Sequence, residues 1–354
     1  MSVNACKPGA CYRKIVMKHK VLFLSFCCLL LLAPVIRAQP ATYTRMGFGA
    51  RGLAMSNALI ADAFGDGSPY YNPSLAPFTA GQNLEATVAL LSLDRQLQFL
   101  QLATPLRPRA GIAAGVIHAG VTGIDGRNNS GYHTEDYSVD EFTFFLAFGT
   151  KLADRVSAGV GLQLFRADYL DEMDSPVTIG IDIGLNARIT DDLYVGAAVE
   201  DLLARYKWNT GGLYGEGRGN SVVDDFPVRL RLGSSYRLLD GRAFLHAEYE
   251  SIVYAGEHRR SSTEIVGDQP ATVTETESFQ LQSNRLRFGA EYRLAESFAL
   301  RGGIDRIFSE AVRPTTGFFV EQPIGKLVTR IEYAFAVEPF DAGSLHFVTL
   351  RLLL

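Results

Sequence analysis

The sequence predicts an all-β fold: a transmembrane antiparallel β-barrel of about 14 strands, closed around a small N-terminal hatch or plug. Three observations lead there. From residue 83 onward, hydrophobic residues recur with a period of two in one segment after another, so each segment has one greasy face and one polar or small face. The segments run close to the ~9–11 residues of a membrane-crossing strand, longer than the ~5–6 usual in soluble proteins. The connections between them alternate between short turns and longer loops, as in barrels with tight turns at one end only.

Residues 1–38 read as a signal peptide. Met17-Lys18-His19-Lys20 is a basic start, Val21 to Val35 an apolar core, and Ala38 a small residue at the cleavage position, so Met17 is a second candidate start. The apolar core is shorter than the ~20 residues of a spanning helix. All four cysteines (Cys6, Cys11, Cys27, Cys28) fall in this segment, which leaves the rest of the chain without a disulfide or a thiol nucleophile. Six basic residues and no acid leave with it. The remainder carries 28 Lys and Arg against 38 Asp and Glu, a net charge of −10. An acidic exported chain is a poor partner for nucleic acid, whose affinity comes largely from phosphate neutralisation.

Residues 39–82 do not alternate and form the predicted hatch. Gly49 to Phe64 predicts a short amphipathic helix with Leu53, Met55, Ala58, Leu59 and Phe64 on one side. The run Gly65-Asp66-Gly67-Ser68-Pro69-Tyr70-Tyr71-Asn72-Pro73-Ser74-Leu75 is dense in turn formers. In it Asn72 can bond to neighbouring backbone and Pro73 fixes φ. Tyr70 and Tyr71 would face the inner wall or an interface. A wall of about 14 strands encloses a lumen its own side chains cannot fill, so a compact glycine-rich segment here would act as a plug.

Residues 83–354 are the barrel. The strands are expected at 83–93, 96–104, 110–119, 140–150, 156–168, 177–187, 193–201, 227–238, 242–254, 284–294, 298–306, 315–321, 327–336 and 345–354. In the clearest, Leu286, Phe288, Ala290, Tyr292 and Leu294 alternate with Arg285, Arg287, Gly289, Glu291 and Arg293. Long loops are expected at 120–139, 169–176, 202–226 and 255–283. A soluble β-sandwich would also alternate, but would not place arginine-rich faces opposite aliphatic and aromatic ones over such lengths. The inward arginines Arg229, Arg231, Arg285, Arg287 and Arg330 are expected to pair with inward acids such as Glu291 and Glu332. Val348, Leu350, Leu352 and Leu354 share one face of a last strand.

The hatch carries a resemblance. Gly49, Ala50, Arg51, Met55 and Ala58, then Asp66, Ser68, Tyr71, Asn72, Pro73 and Leu75, resemble the N-terminal signature of the FadL-type outer-membrane family, most of all its PorV/PorQ branch from the type IX secretion system. Ser74 stands where that family has Ala, and Gly67 where Ala is common. Asp224 to Leu238 and Leu286 to Leu294 also resemble its later strands. The resemblance implies a fourteen-stranded barrel with an N-terminal hatch in the outer membrane of a Gram-negative bacterium, contacting lipid. It implies either a secretion-system component that docks exported cargo or partner proteins, or a transporter of hydrophobic small molecules. A transporter would show an apolar pocket under the long loops and a lateral gap in the wall. No enzyme and no cofactor are expected.

Other patterns carry less. Gly47 to Gly52 fits G-x-G-x-x-G, but a dinucleotide site needs that motif between a strand and a helix of a βαβ unit. Gly65 to Ser68 faintly resembles a lipase serine block, with no histidine placed near it. Asp168, Asp171, Glu172 and Asp174 form an acidic loop, more simply read as solvated than as a Ca²⁺ site. Asp125 to Gly131 lacks calcium-loop spacing, and Trp208 reads as a surface or interface aromatic.

Overall fold

The computed structural model describes residues 40–64, 67–170, 173–214, 221–266, 269–307, 312–325, 327–338 and 343–353. The signal peptide, Gly65 and Asp66 of the hatch motif, Asp171, Glu172 and Leu354 lie outside them. The first half of the wall is β1 (Asn83–Leu90), β2 (Arg95–Leu106), β3 (Ala110–Arg127), β4 (His133–Ala153), β5 (Val156–Asp168), β6 (Val177–Arg188) and β7 (Leu193–Leu202). A small two-stranded sheet follows, β8 (Arg205–Asn209) with β9 (Ser221–Asp225). The second half is β10 (Val228–Leu238), β11 (Ala243–Val266), β12 (Gln269–Ala295), β13 (Phe298–Asp305), β14 (Arg313–Ile324), β15 (Leu327–Val337) and β16 (Ser344–Leu353).

Fourteen of these strands form one closed antiparallel barrel, each bonded to its neighbours, with β7 next to β10. Closure comes from β16 pairing with β1, from Leu353 opposite Asn83 to His346 opposite Leu90. The expected alternation is the observed one. Along β1, Asn83, Glu85, Thr87 and Ala89 are buried and Leu84, Ala86, Val88 and Leu90 exposed. The exposed face is therefore the apolar one around the barrel, as at Leu102, Leu162, Leu232, Tyr292 and Leu350. Such a surface demands lipid, since a water-facing apolar area of this extent would drive aggregation.

Two expected loops are strands instead. β3 and β4 run 18 and 21 residues, and β11 and β12 run 24 and 27, carrying their ladders deep into 120–139 and 255–283. The ladder continues where the hydrophobic alternation stops, because backbone pairing does not require an apolar face. Within 202–226, β8 and β9 pair, and the half-buried Trp208 stacks on Tyr169 at 4.9 Å and donates to Asp224 at 2.9 Å.

The hatch enters the lumen. It contains one short helix, α1 (Gly49–Ala54), and 3-10 turns at Thr42–Arg45 and Pro73–Phe78. The expected amphipathic helix over 49–64 is cut short, since Ser56 and Asn57 take left-handed φ of 53° and 61°. α1 has no exposed face either, because Gly49, Ala50, Arg51, Gly52, Leu53 and Ala54 are all buried. A segment surrounded by wall has no solvent side to be amphipathic toward.

Candidate functional site: the plugged lumen and the cavity above it

The motif residues hold the plug together and fasten it to the wall. Asn72 caps the Pro73–Phe78 turn, its Oδ1 accepting from Ser74 N–H at 3.0 Å and Ser74 Oγ–H at 2.7 Å. Its amide donates to the Ile60 carbonyl at 2.8 Å and to the Leu185 carbonyl of β6 at 3.2 Å. The Ser74 carbonyl accepts from Ser157 of β5 at 3.0 Å. Pro73 needs no amide partner as the first residue of the turn. Tyr71 is buried in the plug, where its hydroxyl accepts from Phe48 N–H at 2.7 Å and has the Phe48 carbonyl and Asn57 Oδ1 as acceptors at 2.9 and 2.8 Å. Burial pushes this hydroxyl well up from its usual range, so it stays a donor. Tyr70 stacks on Phe48 at 4.8 Å, and Ser68 donates to Gln101 of β2 at 2.7 Å.

The other half of the motif works by charge and by close approach. Ala50 N–H donates to Thr349 of β16 at 2.8 Å. Gly49 has φ +74°, and a Cβ there would collide with the Glu85 carboxylate. Arg51 pairs with Asp62 of the plug and, at 3.4 Å, with Glu291 of β12. Opposite the Pro73–Phe78 turn, the wall carries Gly111, Gly149, Gly159 and Gly184, and a Cβ at any of them would strike plug backbone or Asn72. The wall thus omits side chains where the plug lies against it.

The inward arginines pair as expected in kind, but with acids that lay unrecognised. Arg229 binds Glu200 at 2.6 Å and Glu250 at 2.7 Å, while Arg231 binds Glu200 and Glu248, each at 2.8 Å. Arg287 closes the loop with Glu248 at 2.8 Å and with Glu250. Three arginines and three glutamates from β7, β10, β11 and β12 thus make a closed ring of ion pairs. It grips the plug: Arg231 donates to the carbonyls of Tyr71 at 3.3 Å and Asn57 at 3.2 Å, and Glu248 accepts from Ile60 N–H at 3.2 Å. A second chain runs from Glu291 through Arg301 at 2.9 Å and Glu332 at 2.5 Å to Arg351, which holds Glu85 at 2.8 Å. Arg330 pairs with Glu321 at 2.6 Å. The available signal was like charge repeated two residues apart, Arg229/Arg231 against Glu248/Glu250. Turning it into pairs requires the register between strands.

Above the plug, at the barrel end that carries the longer loops, lies a cavity of about 430 Å³. Its floor is plug (Thr42, Arg45, Met46, Leu53, Ser56, Asn57), and its apolar side is Ala336, Val337 and Leu345. Arg95, Arg285, Arg306 and Arg313 face it together with Asp305 and Glu338. A smaller, more apolar space of about 190 Å³ shares Thr42, Met46 and Arg95 and adds Leu91, Leu97, Val121 and Val139. Burial, with Arg229 nearby, pulls Arg45 down to about 10, which leaves it charged at neutral pH. Each strand of the closed wall is hydrogen-bonded to both of its neighbours. The lipid-facing wall has a cleft of about 620 Å³ over β10 to β13, floored by the small residues Ser234, Ala247, Ala290 and Gly302.

Among the described residues one possible ligand trio, Asp125, His133 and Asp136, meets at the tip of the β3–β4 hairpin, where Arg127 already holds Asp125 at 2.5 Å. Among the described residues, Gly47 to Gly52 follows the 3-10 turn Thr42–Arg45 and not a strand, so its glycines serve the plug.

No protein family and no curated protein matches the sequence. Solved structures do match in fold. The toluene transporter TbuX of Ralstonia pickettii aligns over 88% of this chain and 98% of its own, with a TM-score of 0.58 and 16% identity. The toluene transporter TodX of Pseudomonas putida aligns over 86% and 96%, with 0.55 and 12%. A FadL homologue of Pseudomonas aeruginosa aligns over 86% and 97%, with 0.53 and 13%. The chain shares the fold of the FadL-type outer-membrane transporters. None of these matches singles out the PorV/PorQ branch, which rests on the hatch motif alone.

Proposed function

We propose that the chain is an outer-membrane channel of a Gram-negative bacterium that admits small molecules with an apolar body, entering from the longer-loop end. One observation carries this reading. A space large enough for a small solute, partly apolar and open above the plug, sits inside a fold matching hydrocarbon transporters over almost its whole length. The ion-paired plug blocks the lumen below, so passage requires the plug to shift. The chain after residue 38 has no cysteine, which makes a plug-to-wall staple a clean test. Ser56 and Thr315 oxygens stand 2.9 Å apart, so the double variant Ser56→Cys/Thr315→Cys places two thiols for a bridge. Cells making the chain should take up toluene faster than cells lacking it, oxidation of the double variant should stop the excess, and reduction should restore it. Equal uptake with and without the chain, of toluene and of its charged ring relatives alike, would sink the channel reading.

The secretion reading keeps a second place on two observations: the hatch motif, and the β11–β12 hairpin, whose 24- and 27-residue strands reach far beyond the 8 residues of β1. Such an arm suits docking of exported proteins. Mass spectrometry of the barrel purified in mild detergent tests it: exported or secretion proteins recovered with the chain support docking, and a barrel carrying only lipid argues against it.

A further inference from the structure

The cavity above the plug is not a neutral space. Five arginines line it (Arg45, Arg95, Arg285, Arg306 and Arg313) against two carboxylates, Asp305 and Glu338. Both carboxylates are already engaged. Arg95 holds Glu338 through both oxygens, at 2.6 and 3.1 Å. Asp305 takes Arg287 at 3.2 Å and Arg306 at 3.8 Å. Arg285 reaches Glu250 at 4.0 Å, but that carboxylate already belongs to Arg229 and Arg287. Arg313 has a buried Nε with no hydrogen-bond partner. The arginines of the ring and of the second chain each have a carboxylate within 2.9 Å, so the weakly paired Arg285 and Arg313 stand out. Holding several partly buried guanidinium groups together costs free energy unless an anion joins them.

We propose that this cavity binds a compact organic acid bearing two negative charges, Arg285 and Arg313 taking the charged groups and Met46, Leu53, Val337 and Leu345 the carbon body. Guanidinium forks match carboxylate and phosphate oxygens bidentately, and the apolar side distinguishes an organic anion from an inorganic one. A neutral hydrocarbon would leave the arginines desolvated and unpaired, so the chain's preferred solute differs in charge from toluene. The inference deepens the channel reading and rests on it for the claim that the bound acid is also carried.

A matched series tests it: toluene, benzoate and phthalate share one ring and carry zero, one and two charges. Calorimetry on the full-length barrel in detergent should give phthalate the tightest binding, at least tenfold over benzoate, weakening as salt is raised. Inorganic phosphate should bind more weakly than phthalate. Arg313→Ala should weaken phthalate tenfold or more, while Arg313→Lys should retain part of the affinity. The heat-dependent gel shift of a folded barrel verifies that each variant is folded. Phthalate binding no tighter than benzoate, or unaffected by Arg313→Ala, overturns the proposal. Uptake by cells separates the two readings. Arg313-dependent phthalate binding without uptake of any of the three sustains the site and fails the channel. Toluene uptake without phthalate binding does the reverse.

Discussion

Arginine does two different jobs in this lumen, and the contrast lies in what stands opposite it. In the ring formed by Arg229, Arg231 and Arg287 with Glu200, Glu248 and Glu250, each guanidinium faces two carboxylates, and the assembly is spent on clamping the plug. In the cavity above, Arg285 and Arg313 line open space while the nearby acids are held by other arginines. A charge closed into a network is architecture; the same charge beside a vacant volume is available to a ligand. The difference lies in cross-strand register, which sets whether a carboxylate arrives at the same height.

The largest effect should come from opening the ring. Arg231→Ala leaves Glu200 and Glu248 buried with fewer partners and releases two plug carbonyls, so the barrel should lose about 3–5 kcal/mol. Chemical unfolding in lipid vesicles measures this, and a loss below about 1 kcal/mol would mean that water compensates the ring. Next comes Asn72→Ala, which removes the turn cap and strands the carbonyls of Ile60 and Leu185, at a cost of about 2 kcal/mol. Hydrogen exchange should then rise in the plug and not in β10–β12. Arg313→Ala should do the opposite of Arg231→Ala, changing stability by less than about 0.5 kcal/mol. If it destabilises the barrel like the ring variant, the contrast between the two regions collapses.

The smallest expected effect is a pH response at the tip of the β3–β4 hairpin. The Asp125 carboxylate, bonded to His133, raises that imidazole above its ordinary 6.5, and the same bond, with Arg127, holds Asp125 below 3.8. The histidine contribution is complete below pH 6.5 and is lost as pH rises through the raised value. The aspartate contribution is present above 3.8 and is lost as pH falls through the lowered one. Exchange protection at the tip should therefore peak between these limits, and His133→Gln should flatten its alkaline side. Unchanged protection in the variant would show that the backbone ladder alone orders the tip.

Much of the wall was legible residue by residue. The segments expected at 156–168, 177–187 and 327–336 became Val156–Asp168, Val177–Arg188 and Leu327–Val337, because one face meets lipid and the other the lumen, and that asymmetry writes a period of two. At 120–139 and 255–283 the signal failed although strands are present, since beyond the lipid both faces of a hairpin can be polar. The hatch motif was legible as a turn at Asn72-Pro73. The glycines facing it were not, because a glycine at an inward position reads the same whether it faces water or a plug carbonyl.

What the sequence determined by itself is the alternation, hence the strands, their inward and outward faces and the closure of an even-numbered wall, for these follow from local pattern and the solvent on each side. What only the tertiary structure decided is who meets whom: Arg51 with Asp62 and Glu291, Arg231 with Glu200 and Glu248, Gly184 with Asn72, and Arg285 and Arg313 with open space. Those meetings join residues far apart in the chain. Only the register of a closed barrel brings them to the same height, and with it the balance of charge that separates clamp from binding site.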